Sequence, residues 1–324
     1  MLNRVFTLTP ILLLAAALAW ACAAQAQTYP VKPVRLVVPV APGGGSDFVG
    51  RLWGARLTEM LGQQIVVENR PGAGSTIGTE YVIRSAPDGY TLLIISPSYS
   101  INPSLYPLKF DPLTDYTPVI TVARNPYIIA VHPSLPARTT KELIALAQAR
   151  PGQIIYGSSG HGTIVYLTSE LFLYMAGIKM THVPYKGGGP ALQDVIAGHI
   201  QLVFATSQTS LPHAKTGRLR VLAVTTPERI QAEPNLPTIA ESGVPGYAVT
   251  NRLSIIGPKG MPRPVVDRLN GETAKLLKRK DFEERLQGDG VSPGGGTPED
   301  LYEQIRKEIE QWRQVVARAN IKIN

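Results

Sequence analysis

The chain has 324 residues, a formal net charge of +8, 44% apolar residues and 17% charged residues. That balance fits a globular protein with real cores and excludes a low-complexity or disordered chain. Its basic residues are scattered, densest over 275–285 and never interleaved with aromatics as in a nucleic-acid surface, so the positive field suits small anions rather than nucleic acid.

The N-terminus reads as an export signal. Arg4 supplies the positive start, Ile11 to Ala19 the apolar core and Ala24-Gln25-Ala26 a small-x-small cleavage site, so the mature chain is expected to begin at Gln27. The apolar run is too short to span a bilayer, and no later run reaches about 18 apolar residues. Cys22, the single cysteine, follows Leu18-Ala19-Trp20-Ala21, which loosely resembles a lipoprotein site that Trp20 makes poor. Either way no disulfide staples the fold. Removing the first 26 residues leaves 298, a length that suggests two domains.

Leu36 to Val40 is a short β-branched run that reads as a buried strand. Pro42, Gly43, Gly44, Gly45, Ser46 and Asp47 follow, and then apolar residues recur at helical spacing from Phe48. Ser46 or Asp47 is the expected N-cap. Glycines let backbone N–H groups converge, and the helix start behind them adds about half a positive charge. Together they form an anion seat, with a ligand-free tight turn as the alternative. A Walker loop is excluded because Ser-Asp follows the last glycine, and GxGxxG fails at Phe48.

The same construction recurs. Gln64 to Glu68 is strand-like, Asn69 to Ser75 a glycine loop and Ile77 to Arg84 a helix, before the apolar strand Thr91 to Ile95 ends at Ser96 to Ser100. Thr117 to Val131 reads as two strands broken at Asn125-Pro126, with a similar stretch at 247–257. Between them, a helix over Lys141 to Arg150 precedes strand Ile154 to Tyr156 and a loop holding Ser158, Ser159, Gly160, His161, Gly162 and Thr163. Thr163 is placed to cap the next helix. A weaker copy runs from His182 through Lys186 and three glycines into a helix over Ala191 to Ala197. Gln201 to Ala205 closes as a strand at Thr206-Ser207, and Val221 to Val224 is another. Helices return over Pro262 to Leu277 and after Thr297, where Leu301, Ile305, Ile309, Trp312 and Val316 form one stripe that reads as core packing. Repeated strand–loop–helix units imply a doubly wound α/β fold, in which ligands bind beyond the carboxyl ends of the strands.

His161 is the one histidine in a site-like loop, and no pair has metal spacing, so no metal, cofactor or catalytic residue is assigned. Ser158 or Ser159 with His161 would be the best exported hydrolase, but His161 stands where GxSxG needs its last glycine. Asp47 is more useful as a cap than as a base, Lys186 could complement an anion, and Asp194 reads as structural.

The stretches VRLVVPVAPGGGSD, VENRPGAGSTIG, APDGYTLL, INPSLY, YGSSGHGT, HVPYKGGGPALQD and LPTIAESGVPGY, in this order, resemble the solute receptors of tripartite tricarboxylate transporters, the Bug family. The resemblance runs from about Tyr29 to the C-terminus. It implies a type II periplasmic binding protein, with two doubly wound α/β domains joined by two crossing strands and a ligand cleft between them. The expected division is a signal peptide over 1–26, one domain over 27–124 with 252–324, and a second over 125–251. The implied role is capture of a small carboxylate by domain closure and delivery to a two-component integral membrane permease, by a monomer in the periplasm. A ligand-sensing subunit for a membrane signalling partner is the alternative. In the family, the loops matching Pro42 to Asp47 and Ser158 to Thr163 hold a carboxylate through backbone N–H groups and bridging waters. Segments matching Ser98 to Asn102, Tyr185 to Gly188 and Thr206-Ser207 line the pocket. This chain departs at Asn251-Arg252-Leu253, where Arg252 is expected to add charge near the cleft rim, and at Tyr166, where the family usually has His and packing is expected. The seat reading also predicts that Gly44→Val weakens binding severely.

Overall fold

A computed structural model describes residues 29–318. The expected signal peptide, Cys22 and the cleavage after Ala26 lie outside the described residues. The first elements are β1 (Val34–Val38), α1 (Gly45–Leu61), β2 (Ile65–Asn69), α2 (Thr76–Ile83), β3 (Thr91–Ile95), α3 (Ser98–Ile101) and β4 (Tyr116–Asn125). Next come β5 (Tyr127–Val131), α4 (Thr140–Ala149), β6 (Ile155–Ser158), α5 (Ile164–Ala176), β7 (Thr181–Pro184), α6 (Gly188–Ile196), β8 (Leu202–Thr206), α7 (Ser207–Lys215) and β9 (Arg220–Val224). The chain ends with β10 (Asn251–Pro258), α8 (Arg263–Leu277), α9 (Lys280–Gly288), β11 (Ser292–Gly295) and α10 (Pro298–Arg318).

These strands form two sheets, ordered β2-β1-β3-β10-β4-β11 and β7-β6-β8-β5-β9. In both, a parallel trio is followed by one antiparallel strand and then a strand antiparallel to that one. The two lobes therefore repeat one topology. Covering helices explain the apolar sequences of the inner strands, since a strand buried on both faces needs no alternation. All five residues of β5 and of β8 are buried, whereas edge strands β2, β7 and β11 are largely half-exposed.

The lobes meet where β4 runs into β5 through Pro126 and where the chain returns into β10. Asn251 pairs with Asn125 in register, so the two crossings lie side by side. Thr225 ties them together in the second lobe. Its hydroxyl accepts from Tyr127 N–H at 2.9 Å and donates to Val249 O at 2.8 Å.

The last helix is capped as the sequence implies: Asp300 N–H donates to Thr297 Oγ1 at 3.1 Å, and Thr297 N–H donates to Asp300 Oδ2 at 2.9 Å. Its apolar stripe is buried, but it serves two cores. Leu301, Ile305 and Ile309 join the first lobe's cluster around Val37, Leu93 and Ile256, whereas Trp312 and Val316 join the second lobe's cluster around Ile129, Phe172 and Tyr247.

Arg252 is not a rim charge. It is 2% exposed and forms an ion pair with Glu308 of α10, Nε to Oε1 at 2.9 Å and Nη2 to Oε2 at 2.6 Å. Ser100 Oγ donates to the same carboxylate at 3.0 Å. Its place on a fully buried crossing strand turns the side chain inward, where Glu308 neutralises its charge and Ser254 Oγ accepts from Nη1. Tyr166 packs as expected, edge-on to the His161 ring at 5.1 Å.

Candidate functional site

The loop after β1 is held by Asp47, which is buried in the first turn of α1. Gly43 N–H donates to its Oδ2 at 3.0 Å, Asn69 Nδ2 to its Oδ1 at 2.9 Å and Arg51 Nε to its Oδ1 at 3.0 Å. Burial pushes the Asp47 carboxyl up, but Arg51, Gly43 N–H and Asn69 together outweigh it and hold the group below the usual carboxylate range. Asp47 is thus a charged brace turned into the loop. Neither it nor Ser46 is the N-cap, because the backbone enters the helix two to three residues earlier. Gly44 occupies that position and offers no capping side chain. Phe48 N–H is the first to bond back, to Gly44 O at 3.0 Å, which leaves the amides of Gly45, Ser46 and Asp47 without intrahelical partners.

Gly44, Gly45 and Ser46 face a chamber of about 40 Å³ between the lobes. Three further helix starts reach it: Ile164 and Val165 of α5, Gly188 of α6, and Thr206 at the N-cap of α7. Neither Gly187 before α6 nor Thr206 before α7 makes a side-chain capping bond. Thr163 does cap α5, accepting from Tyr166 N–H at 3.4 Å, and Ser98 of the first lobe accepts from Ile164 N–H at 2.9 Å. Four helix N-termini, each carrying about half a positive charge, converge on a space that no described Asp or Glu lines. Such like dipole ends repel unless an anion sits between them.

A second space of about 350 Å³ adjoins the first, sharing Val40 and Ser159 with it. Its walls include Tyr106, Gly160, His161 and Lys186. The opposite wall is the loop 72–75, in which Ala73 (φ 43°) and Ser75 (φ 83°) hold left-handed backbone that disfavours side chains. Ser75 Oγ is buried there without a hydrogen-bond partner. Among the described residues lining either space, Lys186 is the single charged side chain.

The lobes are closed on one another. Ala41 N–H donates to Lys186 O at 3.1 Å, Tyr106 Oη to His161 O at 2.8 Å and Asn125 Nδ2 to Gln208 Oε1 at 3.1 Å. Glycines permit the approach. A Cβ at Gly45 would stand 2.6 Å from Thr206 Cγ2, and one at Gly189 would stand 2.5 Å from Pro42 O. At Gly44 the nearest atom would be Gly188 N at 3.7 Å, an ordinary contact, so the tight position is Gly45 rather than Gly44.

Of the sequence candidates, Gly44, Gly45, Ser46, Ser98, Ser159 and Thr206 line the inner chamber. Ser159, Gly160, His161, Thr163 and Lys186 line the outer space. Pro42, Gly43, Asp47, Ser158 and Gly162 line neither. Tyr127 and Phe204, which wall the chamber, went unnoticed in the sequence although Phe204 shares a strand face with Thr206 by the two-residue period.

The serine–histidine arrangement differs from the one suggested by sequence. Ser158 Oγ lies 2.6 Å from His182 Nε2, not beside His161, and accepts from Gly160 N–H at 3.1 Å. Ser158 is 0% exposed. Burial, and then the neighbouring His161, push His182 down to about 4, which leaves Nε2 free to accept from Ser158 at neutral pH. Ser159 Oγ donates to Thr163 Oγ1 at 2.9 Å. Among the described residues no cluster of His, Cys, Asp and Glu has the makings of a metal site.

Two lobes of one repeated topology, joined by paired crossing strands and closed over a cleft, define a type II periplasmic binding protein. Residues 49–321 match the family of the tripartite tricarboxylate transporter receptor, and the chain belongs to that family. It is 34% identical over 302 residues to protein BugT of Bordetella pertussis, covering 92% of this chain and 93% of that one. Among solved structures, R. palustris Rpa4515 with adipate is 39% identical with a TM-score of 0.88, covering 91% of this chain and 99% of that one. The periplasmic binding protein BugD is 32% identical with a TM-score of 0.87, covering 91% and 99%. No described helix is long and apolar enough to cross a membrane.

Proposed function

We propose that this protein captures a small dicarboxylate in the periplasm by closing its lobes, 27–124 with 252–324 against 125–251, and delivers it as a monomer to a two-component integral membrane permease. Export uses the signal over 1–26, cleaved after Ala26. The observation that carries the reading is the convergence of four helix N-termini on a chamber without an acidic side chain. One carboxylate would sit there on the amides of Gly45 and Ser46, with Ser98, Ser159 and Thr206 alongside.

The chamber has room for roughly two or three water-sized groups, so it takes a head group and not a whole ligand. The rest of the molecule would extend past Ser159 into the outer space, where Lys186 and His161 meet a second carboxylate. The adipate on Rpa4515 is a ligand of this shape. No described Asp or Glu lines that space to meet an ammonium group, which disfavours amino acids. The arrangement is a poor hydrolase: the buried Ser158 is out of reach of a substrate, and no carboxylate among the described residues bonds to His182.

The test is a thermal-shift screen of the mature protein after partial unfolding and refolding to strip bound solute. Linear dicarboxylates are expected to raise the melting temperature to a saturating limit and to be recovered unchanged. A shift with amino acids alone, or conversion of the solute, would overturn the reading. Stabilisation without stimulation of uptake in vesicles carrying the permease would instead favour the sensing role.

A further inference from the structure

The crossing strands have a second side. In the first sheet β10 and β4 separate β1 and β3, whose ends carry the chamber, from β11; in the second sheet β5 separates β6 and β8 from β9. On that far side lies a pocket of about 490 Å³, walled by Val291 and Ser292 from one lobe and by Thr226 and Arg229 from the other. Its floor is formed by Arg124, Asn125 and Pro126 of one crossing and Thr250 of the other.

The floor is short of negative charge. Arg124 and Arg252 are paired residues on neighbouring strands, and both oxygens of the nearby Glu308 are taken by Arg252. Arg124 is partly buried and no described carboxylate forms an ion pair with it, Glu308 acting on its charge only from a distance. Burial, and then the charge of Arg252, lower its pKa. Asn125 is 1% exposed and its Oδ1 has no partner. Of the other charges at the pocket, Arg229 is paired with Glu241 at 2.9 Å, and Glu228 is exposed at the mouth.

We infer that this pocket is a second binding site, for a small oxyanion of the phosphate or carboxylate kind held by Arg124, and that its occupancy is coupled to the chamber. The coupling follows from the lever. Rotation about the crossing strands that brings the chamber walls together swings the far-side walls apart. The structure is closed, so the pocket has its closed-state shape. An anion that binds this shape better than the open one favours closure and tightens dicarboxylate binding, and the dicarboxylate tightens anion binding by the same factor. This coupling rests on the proposed function above, whereas binding to Arg124 alone does not.

Two measurements keep them apart. The first is ³¹P line broadening of inorganic phosphate by the ligand-stripped protein, with no dicarboxylate present. Broadening is expected for wild type, more for Glu228→Gln and less for Arg124→Gln, in which the chamber between the helix starts is the remaining anion seat. Equal broadening in wild type and Arg124→Gln, or none in wild type, overturns the site. The second is adipate affinity with and without phosphate, ionic strength being held with chloride. Phosphate is expected to tighten adipate about 5-fold or more in wild type and to leave Arg124→Gln unchanged. Competition at the chamber would have the opposite sign, weakening adipate in both proteins, and that result or no effect overturns the coupling. Failure of adipate to bind at all counts against the dicarboxylate reading and leaves the first measurement to decide the site.

Discussion

Gly45→Ala should disable closure while leaving each lobe intact. The added methyl would stand 2.6 Å from Thr206 Cγ2 and 2.8 Å from both Thr206 Oγ1 and Gln208 Nε2. Carbon atoms rest at about 3.5–4.0 Å. The Gln208 amide is the far end of a flexible chain and can turn away, but Thr206 is β-branched and stiff at its first torsion. All three atoms belong to the opposite lobe, so the clash exists only in the closed form. Overpacking of this size costs about 1–3 kcal/mol, which is about a 5- to 150-fold loss of affinity. The open form pays nothing, since Gly45 opens α1 without a left-handed φ and alanine is no worse a helix former there. Calorimetric titration with adipate should therefore show the loss, and the ligand-free melting temperature should hold or rise. Wild-type affinity in a folded Gly45→Ala protein would refute the closure argument; a collapsed melting temperature would show that the glycine serves the lobe instead.

Three further outcomes follow from the contacts. Arg252→Ala strands Glu308 and Ser100 and should cost about 3–5 kcal/mol in a urea titration, and a shift under about 1 kcal/mol would contradict a buried ion pair. Ser98→Ala removes the acceptor for Ile164 N–H across the cleft, worth about 1 kcal/mol, so adipate should bind about 5-fold more weakly with stability unchanged; equal affinity would show that this bond does not hold the closed state. His182 has a folded pKa near 4 against an ordinary 6.5, so the folded state binds fewer protons, and stability should fall as pH drops from about 6.5 toward 4. Melting curves of wild type and His182→Gln over that range should diverge, and parallel slopes would remove the buried neutral histidine from the account.

Much of this architecture was legible because it is written locally. Strand, glycine turn and helix start recur at 36–48, 154–164 and 182–191, and each construction folds with neighbours it already has in sequence. The break at Asn125-Pro126 and the Thr163 and Thr297 caps are equally local. What escaped depends on distant residues. Arg252 looked like a rim charge because nothing near it in sequence reveals Glu308, 56 positions away. In sequence the histidine nearest Ser158 and Ser159 is His161, but parallel pairing of β6 with β7 brings His182 beside Ser158. Where a methyl is forbidden is equally non-local. Gly44 and Gly45 are alike in sequence, and only the opposite lobe separates them. The second wall, at Ala73 and Ser75, presents itself in sequence as a glycine loop, and nothing local signals that its non-glycine residues adopt the left-handed backbone.

The central claim is that a carboxylate rests between the helix N-termini that meet in the chamber. A crystal structure of the stripped and refolded protein grown with adipate tests it most directly. The account predicts one carboxylate within about 2.7–3.2 Å of the Gly45 and Ser46 amides, directly or through one ordered water, with the chain extending toward Lys186. Adipate bound wholly in the outer space, with no anion between the helix starts, would contradict it.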